Sequence, residues 1–388
     1  MKMQMNDPLL NDKHLQLKEM VKEFAEKEIR PLAAELDEHS VFSTELTKKM
    51  FEMGLLRINL PEEYGGMGMD TLSYIVAVEE IARVDSSQAA TVAAHNSLGI
   101  APIFYYGTES QKRKFLPMLT TGEKLWAFGL TEPNAGSDSN NTETTANLQD
   151  GRWIINGQKI YITNISSPMS GGITVQAITA NPGNGRKELS VILVDRNTPG
   201  YSVETIRSKM MWRAADTGRV YFDNVEVPEE NLLGERGQGA RIMLATLDGG
   251  RLSIAAIGLG LAQGAFEMAM EYASKRIQFG KPIRSFQVNS FKLADMATKI
   301  ELARNLLYKA CWLKDQGLPF AKEAAMAKLY TSEIAREIAN DALQIYGAHG
   351  LMKENPIERF YRDQRILEIG EGTSEILRLV IARKLGIR

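Results

Sequence analysis

Cysteine and histidine are scarce in this sequence of 388 residues, which contains one cysteine and four histidines. The single cysteine, Cys311, cannot form an internal disulfide, and its helical surroundings favour a buried packing role over that of a nucleophile. The histidines lie at His14, His39, His95 and His349, too far apart to form a metal-ligand motif. The sequence therefore predicts a protein of a reducing compartment that has neither disulfides nor a bound metal.

An excess of one charge and long apolar runs are also lacking. The formal net charge is -2 with both signs interspersed, which excludes the basic face that nucleic acid or an anionic membrane would require. No apolar run has the length expected of a membrane span, and residues 1–20 carry no apolar segment typical of a signal peptide. We therefore expect a cytoplasmic protein that neither binds nucleic acid nor inserts into a membrane.

The sequence does contain a hydrophobic fraction of 44%, enough at this length for a large core and for two or three domains or subdomains. Between residues 12 and 118, apolar residues such as Leu17, Met20, Val21 and Phe24 recur at the spacing of amphipathic helices. The same spacing returns near the C-terminus. Four long helices are predicted there, over about residues 239–275, 284–316, 320–346 and 374–386.

The middle of the chain has the pattern of β-strands, with short runs that alternate or are rich in β-branched residues. These runs cover residues 153–155, 159–163, 173–175, 189–194 and 219–222. Between the first two runs, Asn156-Gly157 predicts a hairpin turn, because both central residues of that turn need positive φ.

The order of the patterns predicts an α+β fold that is mainly α. We expect an N-terminal helical domain over residues 1–124, a middle β domain over 125–235 and a C-terminal helical bundle over 236–388.

Gly258, Gly260 and Gly264 superficially match a dinucleotide-binding loop. The third glycine is one residue late for that motif, and a helical pattern precedes it where the motif requires a strand. We attribute these glycines to close helix packing, so the sequence does not support a nicotinamide-binding Rossmann domain.

A polar loop over residues 128–138 is a candidate binding site. Thr131, Gly136 and Ser137 offer hydroxyl and backbone N–H donors that suit a ring or a phosphate. The same composition is equally typical of a simple turn.

A basic stretch over residues 274–283 is a second candidate. Arg276, Gln278 and Phe279 suit a pyrophosphate and an aromatic ring. The alternative is a basic helix end followed by a Gly-Lys-Pro break.

Glu371 is the candidate for acid–base chemistry. It lies between Gly370 and Gly372, directly before a predicted helix that offers free N–H groups. Apolar neighbours such as Ile369 and Ile376 would raise the pKa of its carboxyl by desolvation, as a general base for a weak carbon acid requires. The alternative is a solvated turn residue.

Nine motifs in register, spread from about residue 10 to 388, resemble those of the acyl-CoA dehydrogenase family. They are LPEEYGG at 60–66, GLTEPNAGSDS at 129–139, NGQKIYITN at 156–164, DGGR at 248–251, RIQFGKPI at 276–283, FQ at 286–287, QIYGAHG at 344–350, YRD at 361–363 and EGTSEI at 371–376. The resemblance implies a β-barrel-like middle domain, a C-terminal four-helix bundle, bound FAD and oxidation of an acyl-CoA to the 2-enoyl-CoA. It also implies a homotetramer that passes electrons to an electron-transferring flavoprotein.

When the roles of the family's residues are carried over to the matching positions of this sequence, the resemblance implies a role for each motif residue. Glu371 is the catalytic base. The flavin is lined by Phe128, Leu130, Thr131, Ser137, Ile162 and Thr163, and FAD is also contacted by Thr373 and Glu375. The ADP portion is held, partly from a neighbouring subunit, by Arg276, Phe279, Gln287, Gln344 and Gly347. The substrate thioester is met by Ser137, Asp248, Arg251 and Gly372.

Departures from the family pattern bear on the acyl group. Gly370 stands where many straight-chain members have Tyr, as in the isovaleryl-specific branch, and opens volume for a branched or ring acyl group. That branch takes its base from the DGGR helix, where this chain has Gly250, so the loop carboxylate keeps the role. Ala89 stands where glutaryl-CoA members have Arg, which argues against a dicarboxylic substrate. Trp212 and Thr91 are further departures near the expected acyl end.

Two alternatives remain open from the sequence. The first is an acyl-CoA oxidase of the same fold, whose reduced flavin reacts with oxygen, although its usual representatives are longer or lack this base context. The second is a non-catalytic acyl-CoA-binding protein, against which the presence of Glu371 and of the FAD motifs counts.

Overall fold

A computed structural model of the chain describes residues 9–181, 183 and 187–387. Residues 1–8, which belong to the stretch predicted to lack a signal peptide, lie outside the described residues. Two helical segments flank a middle β segment, which confirms the predicted α+β, mainly α fold class.

The helices before and after the β segment differ in length. The first set is α1 (Asp12–Phe24), α2 (Arg30–His39), α3 (Thr44–Glu52), α4 (Thr71–Ala82), α5 (Ser86–Ala94), α6 (Ala101–Tyr106) and α7 (Glu109–Thr120). The second set is α8 (Gly239–Lys275), α9 (Gln287–Asp315), α10 (Ala321–Tyr346), α11 (Ile357–Asp363) and α12 (Ser374–Lys384). All four predicted C-terminal helices are present, and α11 is one that the sequence pattern did not predict.

The strands of the middle segment form an eight-stranded sheet in the order β6-β7-β3-β2-β4-β5-β8, with β1 beside β4. They are β1 (Leu125–Gly129), β2 (Thr145–Gln149), β3 (Arg152–Thr163), β4 (Ser170–Ala180), β5 (Glu188–Asp195), β6 (Tyr201–Thr205), β7 (Thr217–Pro228) and β8 (Leu232–Leu233). β3 pairs antiparallel with β2 and β7, whereas β1 runs parallel to β4. A short hairpin, β9 (Ile277–Gln278) with β10 (Lys281–Pro282), follows α8.

The predicted hairpin turn at Asn156-Gly157 is wrong. Residues Arg152–Thr163 form one continuous strand, and its register against β7 shifts between Ile155 and Gly157. Gly157 has a φ of 142°, and a Cβ there would lie 2.7 Å from the Cα of Thr144. The Asn-Gly pair therefore serves a bulge and a close approach of two strands, because strands on both sides hold this segment extended.

The two helical segments share one hydrophobic core although the β segment separates them in the sequence. Helix α4 is buried along its whole length and packs in this core with α8. Cys311 of α9 is also buried there, which confirms its predicted packing role. The core therefore joins the N-terminal and C-terminal helices and leaves the sheet to pack as a separate layer.

Glycines allow α8 to contact its neighbours closely. A Cβ at Gly260 would lie 2.2 Å from the carbonyl oxygen of Glu79, and one at Gly264 would lie 2.2 Å from that of Arg83. A Cβ at Gly258 would lie 3.2 Å from the carbonyl oxygen of Thr331. The interpretation of these glycines as helix-packing residues is confirmed.

Helix α8 corrects one expectation from the sequence. It contains an 18-residue window with a mean hydropathy of 1.4, so one helix does have the length and composition of a membrane span. Of that window, 78% is buried inside the protein. Its hydropathy therefore follows from its central place in the core, since a helix that is apolar all round can be buried in a large protein.

Candidate active site

A cavity of about 690 Å³ lies where the sheet meets both helical segments. Its walls are mostly apolar and come mainly from α5, α8, the strands β1 and β3, the segment between β6 and β7, and the loop before α12. Eleven of the residues predicted for cofactor, substrate or base line it: Phe128, Leu130, Thr131, Ser137, Ile162, Thr163, Arg251, Gly370, Glu371, Gly372 and Thr373. The structure thus brings together motifs that lie more than 200 residues apart in the sequence.

The loop after β1 is held by a buried ion pair that was not predicted from the sequence. The Nζ of Lys159 lies 2.6 Å from Oε1 of Glu132 and also donates to the carbonyl oxygen of Leu130. The Glu132 carboxylate accepts further hydrogen bonds from the backbone N–H groups of Glu143 and Thr144. Burial lowers the pKa of Lys159 to about 8, and the carboxylate of Glu132 opposes that shift. These bonds fix the backbone of the loop that carries Thr131 and Ser137.

The loop before α12 turns sharply at the candidate base. Glu371 has a φ of 52° and Gly372 a φ of 101°, so two successive residues are in the left-handed region. Only glycine adopts this region without strain, which makes the conformation of Glu371 costly. Thr373 then caps α12 by accepting a hydrogen bond from the N–H of Ile376. The turn directs the carboxylate of Glu371 towards α8.

The carboxylate of Glu371 lies against Gly250 of α8. A Cβ at Gly250 would lie 2.2 Å from Oε2 of Glu371 and 3.1 Å from Cδ2 of Leu98. The space needed by the carboxylate is therefore the space that any side chain at position 250 would fill. This packing explains in physical terms why a glycine stands at this point of the DGGR motif.

The environment of Glu371 favours its protonated form. Although the residue as a whole is only partly buried, Oε2 is shielded from solvent and has no hydrogen-bond partner among the described residues. Burial raises the pKa of Glu371 to about 7, and the positive charges of Lys328 and Arg251 oppose this shift. A carboxyl with such a pKa can accept a proton near neutral pH and release it again.

Arg251 and Asp248 of α8 form an ion pair beside the cavity. Arg251 lines the cavity and is 4% exposed, and its Nε atom has no hydrogen-bond partner within the described part of the chain. Asp248 does not line the cavity. Of this predicted substrate pair, the structure therefore places only Arg251 at the cavity wall.

Family models of the three acyl-CoA dehydrogenase domains match nearly the whole chain. The N-terminal domain model matches residues 11–123, the middle domain model 127–225 and the C-terminal domain model 237–386. The chain belongs to the acyl-CoA dehydrogenase family. It is an FAD-dependent oxidoreductase that dehydrogenates acyl-CoA thioesters.

Relatives and solved structures support the same assignment. A probable acyl-CoA dehydrogenase of Bacillus subtilis (strain 168) is 48% identical over 381 residues, which cover 98% of this chain and 100% of the relative. The structure of butyryl-CoA dehydrogenase from Megasphaera elsdenii matches with a TM-score of 0.93 and 41% identity, covering 97% of this chain and 98% of that one. A structure reported with the electron-transferring flavoprotein of Acidaminococcus fermentans matches with a TM-score of 0.94 and 43% identity, at 97% and 98% coverage.

The cavity of this acyl-CoA dehydrogenase fits the ring of FAD and an acyl thioester. Its apolar walls suit a flat aromatic ring, and the side chains of Thr131 and Thr163 add hydroxyl groups. Nε1 of Trp212, Nε of Arg251 and Oε2 of Glu371 are buried without a hydrogen-bond partner in the described ranges, and all three residues line the cavity. Because buried polar atoms are normally paired, these atoms mark where a polar ligand is expected.

The residues predicted for the ADP portion of FAD lie elsewhere. None of them lines the cavity, and all are exposed: Arg276, Phe279, Gln287, Gln344 and Gly347. They lie around the C-terminal end of α8, the β9–β10 hairpin, the start of α9 and the end of α10. At 1.5 Å per residue, the end of α8 is roughly 25 Å from its last cavity residue, Ile257. Within one chain, this group does not join the flavin group.

Three other predicted residues also lie outside the cavity wall. Glu375 is exposed on the first turn of α12, and Ala89 and Thr91 are buried in α5. Trp212 does line the cavity, and its backbone N–H donates to Oδ1 of Asp363 at 2.8 Å.

Some residues that line or support the cavity were not predicted from the sequence. Ala90, Ala93 and Ala94 form a small-residue face of α5 on its wall. Lys328 of α10 is buried behind the loop of the base. The only available signal was the i, i+3, i+4 spacing of the alanines, which is equally typical of core packing, and a lysine within a helix is ordinarily a solvated residue.

Proposed function

We propose that this enzyme dehydrogenates a short acyl-CoA, with room for a branch or a ring beside the α- and β-carbons, and that Glu371 is its catalytic base. We also propose that it passes electrons to an electron-transferring flavoprotein and acts as a homotetramer in the cytoplasm. The observation that carries the proposal is the unpaired, buried Oε2 of Glu371 on the wall of an apolar cavity.

The reaction requires the loss of an α-proton and of a hydride from the neighbouring carbon. Glu371 takes the α-proton of the thioester, and its left-handed backbone turns the carboxylate towards the space between α8 and the loop. Residues on the cavity wall such as Phe128, Thr131 and Thr163 would hold the flavin of FAD, which would supply the acceptor for the hydride of the β-carbon. The backbone N–H of Glu371 is proposed to donate a hydrogen bond to the thioester carbonyl and so stabilise the developing enolate.

The pKa of Glu371 gives the reaction a pH dependence. Only the carboxylate form accepts a proton, and burial raises the pKa of this group to about 7. Activity should therefore increase as the pH rises through this value. The apolar walls also exclude water, which strengthens the electrostatic interactions of the carboxylate.

The shape of the cavity supports the proposed acyl group. Gly370 lines the cavity, its φ is not positive, and a Cβ there would lie 3.5 Å from the carbonyl oxygen of Ile366. Neither the backbone conformation nor a close contact therefore requires glycine at this position. The effect of Gly370 that remains is to leave free volume in the cavity. The similarity to a butyryl-CoA dehydrogenase supports a short acyl chain.

The exposed surface at the β9–β10 hairpin supports the proposed homotetramer. Phe279 is 93% exposed, and Ile277, Val288 and Phe291 are also exposed apolar residues of the hairpin and of α9. Clustered exposed apolar side chains are typical of protein contact surfaces. If a second copy of the chain covers this surface, the ADP-site residues of one chain would lie close to the other chain and could contact its FAD. The structural neighbour reported with an electron-transferring flavoprotein supports the proposed acceptor.

A substrate panel tests the proposal. The purified enzyme is assayed with straight, branched and alicyclic acyl-CoAs, with an electron-transferring flavoprotein or with oxygen alone as acceptor. We expect anaerobic bleaching of the flavin band by short acyl-CoAs, turnover with the flavoprotein and little oxygen consumption. Rapid oxygen consumption without another acceptor would indicate an oxidase instead. No bleaching by any acyl-CoA would contradict the proposed function.

A further inference from the structure

A fully buried lysine lies behind the loop that carries Glu371. Lys328 of α10 is 0% exposed, and its Nζ donates a hydrogen bond of 2.6 Å to the carbonyl oxygen of Gly372. This is the only hydrogen bond of that ammonium group within the described ranges. Burying an ammonium is costly unless charge and hydrogen bonding compensate, so a lysine here requires a specific partner.

The partner is the loop of the base. Gly372 follows Glu371 directly, and both residues are in the left-handed region. A hydrogen bond to the carbonyl of Gly372 therefore holds the second residue of a turn whose first residue is strained. The N-cap of α12 does not hold this carbonyl group, and no other contact described above does so.

The charges around the two side chains are few. The charges that act on Lys328 are those of Glu371, Arg251, Glu368 and Glu375. Burial lowers the pKa of Lys328 to about 8, and the carboxyl of Glu371 opposes this shift. Glu371 in turn faces Lys328 from α10, Arg251 from α8 and the phenol of Tyr74 from α4. Glu368 also acts to raise the pKa of Lys328, and it is itself paired with Arg336 and Arg365.

We propose that Lys328 is a positioning residue for the reaction, which holds the turn at Glu371 and Gly372 and stabilises the carboxylate form of Glu371 by its charge. This inference rests on the proposed role of Glu371 as the base. It is distinct from a purely structural role, because a structural lysine would affect folding and stability but not the protonation of the base.

The charge contribution has a definite sign. The positive charge of Lys328 opposes the rise in the pKa of Glu371 that burial causes. Removing the charge should therefore raise that pKa further. The acid limb of the pH profile of kcat/KM should then move to higher pH, by about one pH unit for a carboxyl that loses a nearby opposite charge. Below the native pKa, a shift of one unit corresponds to roughly a tenfold loss of activity.

Three substitutions of Lys328 separate the hydrogen bond from the charge. Lys328→Gln keeps a donor and removes the charge, Lys328→Met removes both, and Lys328→Arg keeps both. Each FAD-loaded enzyme is assayed with butyryl-CoA for flavin content, kcat, KM and pH profile. We expect Lys328→Gln to retain flavin and KM, to lose about tenfold in kcat at about pH 6 and to show the shifted acid limb. Lys328→Arg should keep the native acid limb, and Lys328→Met should lose the most kcat.

A lysine on the surface of the same helix provides the control. Lys322 pairs with Glu323 and is partly exposed, so Lys322→Met should leave flavin content, kcat and pH profile unchanged. Variants of Lys328 that keep flavin and the native pH profile would overturn the inference. Loss of folding or of flavin in all three variants would also overturn it, because the role would then be structural.

The Glu371→Gln enzyme, assayed alongside, separates this inference from the proposed function. If that enzyme turns over normally, the base is elsewhere and the proposed function fails. If it is inactive while the Lys328 variants behave as the native enzyme does, only the inference about Lys328 fails.

Discussion

The two groups of residues proposed to bind FAD lie in different surroundings. One group lines the cavity, and the other lies on the exposed surface around the β9–β10 hairpin. At the cavity, elements from all three parts of the chain converge, and its loop after β1 is fixed by the buried pair of Lys159 and Glu132. At the hairpin, every predicted ADP-site residue is exposed, and Phe279 is 93% exposed.

From this difference we propose that two chains together complete the FAD site. The cavity proposed for flavin and substrate is formed by contacts within the chain, because its walls pack on the shared helical core. The ADP half presents apolar and polar groups to solvent, an arrangement that a second copy of the chain would cover. We therefore expect changes at the cavity to act on folding and chemistry, and changes at the hairpin to act on assembly and FAD affinity.

Breaking the buried pair at the cavity should have the largest effect on stability. Lys159→Met leaves the carboxylate of Glu132 buried without its cation, which should lower the free energy of unfolding by about 3–5 kcal/mol. The loop with Thr131 should then bind FAD more weakly. Denaturant unfolding and flavin content measure both effects.

The matched control removes both charges. Lys159→Met with Glu132→Leu should be more stable than Lys159→Met alone, because no unpaired charge is left buried. If the single variant is as stable as the native enzyme, the pair does not hold the loop and the cavity is less preorganised than we propose.

A change at the hairpin should act mainly on assembly. Phe279→Ser removes the most exposed apolar side chain of that surface and should weaken FAD binding by about tenfold while shifting the enzyme towards smaller oligomers. Sedimentation and flavin titration provide the measurements. Leu148→Ser, at an exposed apolar residue of β2, is the control and should change neither quantity. An unchanged oligomer and unchanged FAD affinity in Phe279→Ser would count against the division between the two regions.

A change in the acyl part of the cavity should act on selectivity alone. Gly370→Tyr fills volume beside the reacting carbons, so kcat/KM for a branched or alicyclic acyl-CoA should fall at least about tenfold more than for butyryl-CoA. Steady-state rates on both substrates measure the ratio. An equal loss on both would mean that position 370 serves the geometry of the loop, and the proposed acyl group would lose its main support.

Much of the fold followed from local patterns in the sequence. The helices α8, α9 and α10 are long enough for their apolar spacing to be unambiguous, and the strands β3, β4, β5 and β7 contain the predicted runs rich in β-branched residues, whereas β6 was not predicted. The turn predicted at Asn156-Gly157 does not form. The conformation of this segment depends on its pairing with both β2 and β7. A local motif carries no information about such neighbours.

The site shows the same division. Glu371 could be proposed from its flanking glycines and apolar neighbours, whereas Lys328 could not, since its burial depends on the packing of α10 against the loop before α12. The separation of Arg276 and Phe279 from the cavity is likewise a property of the three-dimensional fold. This separation results from the length of α8 and cannot be read from the order of the motifs in the sequence.

The proposed function depends on the removal of the substrate α-proton by Glu371. The most direct measurement is exchange of that proton in deuterated water, using an acyl-CoA analogue with sulfur in place of the β-carbon, so that no hydride can leave. We predict that the FAD-loaded native enzyme exchanges the α-proton and that Glu371→Gln, which still binds FAD and the analogue, loses exchange by about a hundredfold or more. Equal exchange rates in the two enzymes would contradict the role of Glu371 as the base.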